Sequence, residues 1–199
     1  MENLSVLQQA AQSITTQSGS KPSPPAVVDA LLLAEKTAKK SKTHYSFDQL
    51  IGSWRLCFIT GTKKTRQRAG VVMGAGRYIP GLVSIQLSYS AAPASSPDNS
   101  IQAGNVENTV RIGALRLALS GPAKFLAGKN ILAFDFTRIS VELFGRVVYK
   151  GSMRGGEGKE REFYGESVSK QAFFSYFIIG DDIIAARGRG GGLALWGRQ

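Results

Sequence analysis

The side chains that could carry out covalent or acid–base chemistry are few in this chain and far apart. Its one histidine, His44, follows a lysine-rich segment, where a solvated surface role is expected rather than general-base catalysis. Its one cysteine, Cys57, would need a nearby base and exposure to act as a nucleophile, and its position between Leu56 and Phe58 gives little support for that role. Single copies of these residues also exclude paired-histidine and cysteine-rich metal sites and an internal disulfide. We therefore predict a protein without catalytic or metal-ligating residues.

Two glycine-rich segments resemble ligand-binding motifs but lack the required context. Residues 74–79 (GAGRYI) would need a third glycine where Ile79 stands, and a strand, turn and helix around them. Residues 187–192 (RGRGGG) resemble an RNA-binding arginine-glycine tract, but the run is one repeat long and flanked by predicted strands, whereas such tracts are long and disordered. A basic RNA-binding protein is the alternative from another class, and we expect no nucleic-acid partner.

The chain is strongly basic. Its 199 residues contain 25 Lys and Arg against 14 Asp and Glu, a formal charge of +11 that favours anionic partners such as phosphates, anionic lipids or nucleic acid. Four bases follow the first predicted strand and are interpreted as a docking site for an anionic membrane, each contributing up to about 1 kcal/mol: Lys63, Lys64, Arg66 and Arg68. The alternative is a solvated loop with incidental charge. No apolar run reaches about eighteen residues, so membrane contact is predicted to be peripheral.

Residues 1–46 are predicted to form a helical segment. Leu4, Leu7, Ala11 and Ile14 recur at helical spacing, and a proline- and serine-rich break follows at residues 18–25. A second helix is predicted from near Pro25 to Lys42, with lysines near its C-terminus favoured by the helix dipole. The first residues lack the features of a secretory signal or of an arginine-rich transit peptide, which predicts an intracellular or already processed protein.

From residue 47 to 199 the hydrophobic period is two, which is typical of antiparallel strands with one buried face. Val83, Ile85, Leu87 and Tyr89, for example, alternate with polar residues. The fold class is therefore predicted to be all-β with N-terminal helices, as a lipocalin-like antiparallel barrel of about eight strands. A β-sandwich has the same periodicity and stays an alternative. The glutamates between residues 157 and 166 are predicted to lie in a charge-paired surface hairpin.

The alternation directs seven aromatic residues toward the interior of such a barrel. They are predicted to line a site for an apolar ligand: Trp54, Phe58, Tyr89, Phe134, Phe136, Phe173 and Phe177. A barrel of about eight strands has room for one small ligand. The alternative is that these side chains simply fill the core.

Both ends of the residue 45–199 segment carry short motifs. Gly52-Ser53-Trp54 opens the first strand in the manner of lipocalin-like barrels, in which the tryptophan closes one end and an arginine of the last strand packs over its ring. Near the C-terminus, a Gly-Asp-Asp turn precedes Arg187 and Gly188. With the Thr60-Gly61-Thr62 turn and the helical preamble, these motifs resemble the plastid-lipid-associated protein (fibrillin) family of plants and cyanobacteria.

The resemblance implies binding of carotenoids, quinones or other isoprenoids at thylakoids or lipid droplets. It places Asp182, Arg187 and Gly188 in the family's last hairpin, and we favour Arg187 as the arginine that packs over Trp54, with Arg189 and Arg198 as the alternatives. Arg189 departs from the pattern, because many members have an acid there. We accordingly predict a non-enzymatic carrier with no cofactor, located in the cytoplasm or plastid stroma and peripherally attached to thylakoids. A coat protein without internal ligand is the alternative.

Overall fold

The N-terminal region of the computed structural model consists of two helices, as the sequence predicts. The structure describes residues 2–17, 19–61, 76–92 and 101–199. Helix α1 spans Glu2–Thr15 and helix α2 spans Pro24–Ser41. Ser23 caps α2 by accepting a hydrogen bond from the Ala26 amide, and Lys42 ends the helix in a left-handed conformation. The predicted helices are thus confirmed.

A short 3-10 helix, Phe47–Leu50, leads into the sheet. The described strands are β1 Gly52–Ile59, β2 Arg77–Tyr78, β3 Val83–Ala91, β4 Ile101–Ile112, β5 Leu115–Leu126, β6 Ile131–Phe134, β7 Arg138–Leu143, β8 Arg146–Ser152, β9 Ala172–Ile179, β10 Ile183–Gly188 and β11 Leu193–Arg198. Short 3-10 turns at Ala127–Lys129 and Val168–Lys170 precede β6 and β9.

Eight of these strands close into an antiparallel barrel. Around the barrel the order is β1, β11, β10, β9, β6, β5, β4 and β3, and β3 pairs back to β1. Closure leaves these strands without unpaired edges over the paired region. The predicted fold class, an all-β barrel of about eight strands with N-terminal helices, is confirmed.

The barrel wall divides where β6 passes into β7. Ala123 of β5 pairs with Phe134, and Ser120 pairs with Arg138, so residues 121–122 face residues 135–137 and one extra residue forms a bulge. Below the bulge β6 pairs with β9, and above it β7 pairs with β8. Residues 83–88, 107–120 and 138–152 therefore form a five-strand sheet that extends out of the closed barrel and shares residues 86–88 of β3 with it, and we call this sheet the flap.

The two helices pack against the outside of the barrel rather than forming a separate layer of their own. Their apolar faces share one buried cluster with outward-facing residues of β1, β9, β10 and β11, including Leu7, Leu31, Phe58 and Leu195. Glu35 of α2 is mostly buried and accepts two hydrogen bonds from Arg187 of β10, at 2.8 and 2.5 Å. This bidentate pair fixes the helices to the last hairpin.

The prediction that the glutamates between residues 157 and 166 lie in a hairpin is wrong. This part of the chain contains a helix, α3, which spans Gly156–Phe163. Alternation of charges was compatible with a strand, but the chain leaves the sheet at Gly155, which has a positive φ of 92°. The Lys124 ammonium, buried under α3, donates to the carbonyl oxygens of Phe163, Tyr164 and Glu166 at 2.9, 3.2 and 2.6 Å. The C-terminal end of α3 is therefore held to the barrel by a cation.

Replacing Lys124 by methionine should destabilise the fold, because a similar volume remains but buried carbonyl groups lose their donor. We expect a loss of about 2 kcal/mol, which lowers the thermal unfolding midpoint by several degrees. Calorimetry of Lys124→Met and of the exposed control Lys170→Met measures this. Equal unfolding midpoints for the two variants would contradict the assigned role of Lys124.

Candidate ligand-binding site

One end of the barrel is closed by a tryptophan and an arginine. The Trp54 indole donates to the Leu50 carbonyl at 2.8 Å, and the Arg198 guanidinium lies 4.1 Å from the centre of the Trp54 ring. Gly52, with a φ of 128°, leaves room for Arg198, since an added Cβ would lie 3.0 Å from its guanidinium. Arg198 also donates to the Asp181 carbonyl. We call this end the floor.

The assignment of Arg187 as the arginine over Trp54 is wrong, although an arginine of the last strand does occupy that position. Arg187 lies on the outer face of β10, where it pairs with Glu35 and donates to the Gly191 carbonyl at 2.5 Å. The Arg187 guanidinium also holds the pKa of the Glu35 carboxyl below its usual range through these hydrogen bonds. Gly188 and the following glycines form the turn between β10 and β11, and the Asp182 carbonyl accepts from the Arg198 amide at 2.8 Å.

Four predicted lining residues point into the barrel. Trp54, Tyr89 and Phe134 are buried in the interior cluster, and Phe136 is half-buried against it. Phe134 lies 5.4 Å from Phe136 and 5.1 Å from Phe174 between ring centres. Their predicted inward orientation is confirmed.

The other three predicted lining residues lie on the outer face. A bulge between Leu56 and Phe58 reverses the alternation in β1, so Phe58 packs under the helices. Phe177 packs there too, at the bulged pairing of β9 with β10. Phe173 pairs with Ala133 on the outward side and lines a cleft beside Arg187. Alternation alone gave the wrong face in each case.

Their places inside are taken by residues that the sequence did not single out: Phe125, Phe174, Tyr176 and Trp196. Phe174 lies 5.4 Å from Trp196 between ring centres, and Tyr176 shares a hydroxyl hydrogen bond of 2.8 Å with Tyr89. Burial raises the pKa of both tyrosines, so the pair is neutral. The residue 173–177 run has aromatic side chains on both faces, and only the pairing partner decides which face is inside.

The interior continues into the flap as an apolar face. Register places Leu87, Leu119 and Ile139 on this face, with the polar Asn108 between Leu87 and Leu119. A second row nearer the free end is apolar throughout: Ile85, Val110, Leu117, Val141 and Tyr149. Leu87 is buried, whereas the other residues of this face are half-buried or exposed, in contrast to the buried side chains of the barrel. The opposite face is polar and carries Arg116, which forms ion pairs with Glu107 and Glu142 at 3.1 and 2.5 Å.

The candidate chemical groups of the sequence are poorly placed for catalysis. Cys57 is fully buried, and its burial raises the pKa of the thiol to about 12. His44 is exposed in the segment that follows α2. Within the described ranges, no three His, Cys, Asp or Glu side chains converge as a metal site would require. No helix of the described chain combines the length and apolar character needed to cross a bilayer.

Several clefts lie on the outside of the barrel. Two of about 330 and 460 Å³ adjoin each other along α2 and share Glu35, Lys39 and Ser175. A third, of about 300 Å³, lies between the two helices and is lined mainly by apolar residues such as Leu4 and Leu33. The predicted docking bases Lys63, Lys64, Arg66 and Arg68 lie outside the described residues.

A scan of the chain against protein-family models finds no match, and a search of curated proteins finds none either. The structure itself defines the class of protein, which is a closed antiparallel barrel with two N-terminal helices and an open flap. The resemblance to the fibrillin family stays a prediction.

Arg198→Ala should open the floor, because Trp54 loses the guanidinium that covers its ring. The cation–π contact contributes about 1 kcal/mol. In a Trp196→Phe background, in which Trp54 is the one tryptophan, we expect a red-shifted emission and stronger acrylamide quenching for Arg198→Ala. Arg187→Ala in the same background should leave the emission unchanged, and a red shift in that variant instead would return the role to Arg187.

Cys57 should be inert in the folded protein, because its thiol is buried and its pKa is about 12. Treatment with a disulfide-exchange reagent at mildly alkaline pH should release no chromophore until guanidinium unfolds the chain. Prompt stoichiometric labelling of the native protein would show that the thiol is accessible.

Proposed function

We propose that this protein is a non-enzymatic carrier that binds an apolar isoprenoid or lipid, such as a carotenoid or quinone, at the surface of a thylakoid or lipid droplet. The observation that carries the proposal is the apolar flap face, which leads from solvent into the aromatic barrel interior. Soluble proteins rarely leave such continuous apolar surfaces exposed without a binding role.

The ligand is proposed to lie along the flap face with one end against Phe136. The barrel interior below Phe136 is occupied by aromatic rings in mutual contact, with neighbouring ring centres 5.1 to 6.4 Å apart. Covering roughly 400 Å² of isoprenoid surface at about 25 cal/mol/Å² would contribute on the order of 10 kcal/mol before the costs of association. Useful affinity then requires no polar anchor.

The surroundings of the candidate reactive side chains support a carrier that is not an enzyme. Cys57 is buried and protonated, and Tyr89 and Tyr176 are neutral and bonded to each other. The arginine-glycine segment is part of an ordered hairpin, and its Arg187 is engaged by Glu35. These observations favour a carrier over an enzyme and over an RNA-binding protein.

A charge on the apolar flap face should abolish ligand binding. Val141 lies on that face and its neighbour Ser140 on the opposite one, so Val141→Asp and Ser140→Asp are matched variants of one strand. With a plastoquinone analogue carrying a ten-carbon tail as probe, we expect quenching of tryptophan fluorescence with wild type and Ser140→Asp, and affinity weakened at least about tenfold in Val141→Asp.

Circular dichroism and thermal unfolding of both variants establish that each is folded. No quenching by the quinone and none by retinol with the wild-type protein would contradict the proposed carrier function. Equal affinity in the two aspartate variants would place the ligand elsewhere.

A further inference from the structure

The free end of the flap concentrates exposed apolar side chains. Eight of the eleven large hydrophobic residues found exposed in the described chain belong to it or to the turn before β3. Leu82 is 87% exposed and Phe144 is 81% exposed. A folded domain gains no stability from such side chains, because they bury little surface.

The strand register brings three turns together at this end. Val83, Ile112, Leu115, Leu143 and Arg146 form one row across the five strands, so the turns that precede or join these strands lie side by side. The Phe144 amide donates to the Ala114 carbonyl at 3.0 Å and joins two of the turns. The exposed side chains therefore form one continuous edge, which we call the tip.

Phe144 adopts a backbone conformation that disfavours its own side chain. Its φ is 50°, and that of Gly145 is 75°, as in a two-residue type I′ hairpin turn. Asparagine, aspartate or glycine is the usual residue at such positive φ, whereas a bulky aromatic residue is strained there. An exposed ring at a strained position points to a contact made outside the fold.

The tip is bordered by bases that lack carboxylate partners. Arg111, Arg146 and Lys150 are exposed, and no acid of the described residues forms an ion pair with them. The two glutamates of the flap, Glu107 and Glu142, are both engaged by Arg116. Apolar side chains surrounded by unpaired cations are complementary to an anionic lipid surface.

A second copy of this chain fits the tip less well. Among the described residues β8 pairs with β7 alone and so forms a sheet edge, but the bulge at Val148 interrupts this edge, and Arg146 and Lys150 would face the same charges of a partner strand. Bulges and lysines on edge strands oppose pairing between molecules.

We propose that the tip inserts Phe144 and its apolar neighbours into an anionic bilayer, with Arg111, Arg146 and Lys150 at the headgroups. This inference rests on the proposed function and deepens it, because it names the surface through which the carrier meets the membrane. The apolar flap face would then form a continuous path from the acyl chains to Phe136 at the mouth of the barrel.

Phe144→Asn tests the inference with opposite effects on folding and on binding. Asparagine suits the positive φ, so the thermal unfolding midpoint should be unchanged or higher, whereas binding to vesicles of phosphatidylcholine and phosphatidylglycerol should weaken about tenfold. Leu33→Asn, which removes an exposed leucine from α2, is the matched control and should bind as wild type does. Retained vesicle binding by Phe144→Asn would overturn the inference.

Two further measurements define the contact. Arg111→Gln and Arg146→Gln should each weaken binding to the anionic vesicles about fivefold, with little effect on neutral phosphatidylcholine. In Phe144→Trp, lipids brominated on the acyl chains should quench the new fluorescence, while the buried Trp54 and Trp196 of the wild type are not quenched. Absence of quenching in Phe144→Trp would contradict insertion.

The outcomes separate this inference from the proposed function. Binding of the quinone probe by the soluble protein, without any vesicle binding, would refute the inference and leave the carrier function standing. If replacement of Lys63, Lys64, Arg66 and Arg68 by glutamine abolished vesicle binding while Phe144→Asn did not, membrane contact would run through those bases instead. A Phe144-dependent dimer in light scattering would show that the tip binds a second copy.

Discussion

The close approach of the residue 135–137 segment to Gly121 determines how the sheet is divided. A Cβ atom at Gly121 would collide with the Asp135 carbonyl oxygen, so glycine allows the bulge that separates β6 from β7. The lower strand continues around the barrel to β9, and the upper strand turns back through β8. Because β4 and β5 run through both regions, the inward face of the barrel extends into an open sheet that is apolar except at Asn108.

Two separate buried clusters stabilise the barrel, one on each side of its wall. The inner cluster is mainly aromatic, and the outer cluster joins the helices to β1, β9, β10 and β11. The flap has no helix over its apolar face in the described chain, since α1 and α2 cover the opposite side of the barrel and α3 packs over Lys124 on the outer surface. Exposure of the flap is thus a consequence of where the helices are placed.

Much of this fold follows from local patterns in the sequence. The helical spacing from Leu4 to Ile14 and the period of two after Phe47 depend on burial of one face, and each predicted the correct element. Side-chain orientation was predictable only where strands are regular, as for Tyr89 and Phe134. At bulges an extra residue reverses the alternation, and local sequence contains no signal for the extra residue, because it depends on the partner strand.

The arginine over Trp54 illustrates the same limit for the site. Arg187 and Arg198 are both near the C-terminus, but Arg187 contacts Glu35, whereas Arg198 packs over Trp54. The parity of a strand separates the inner from the outer face only when its register with the neighbouring strand is known. Glu35, which engages Arg187, is 152 residues away in sequence, so no local pattern predicts the pair.

A filled barrel and an open flap divide stability and binding between different parts of one sheet. The aromatic interior gains its free energy from contacts within the protein, and displacing those rings for a ligand would forfeit that packing. On the flap, by contrast, apolar area is already exposed, so a ligand or an acyl chain that covers it gains hydrophobic free energy without disrupting the core. Binding at the flap therefore costs less free energy than binding within the barrel. The hydroxyl groups of Tyr89 and Tyr176 are already hydrogen-bonded to each other, so a polar ligand would gain little by entering the barrel interior.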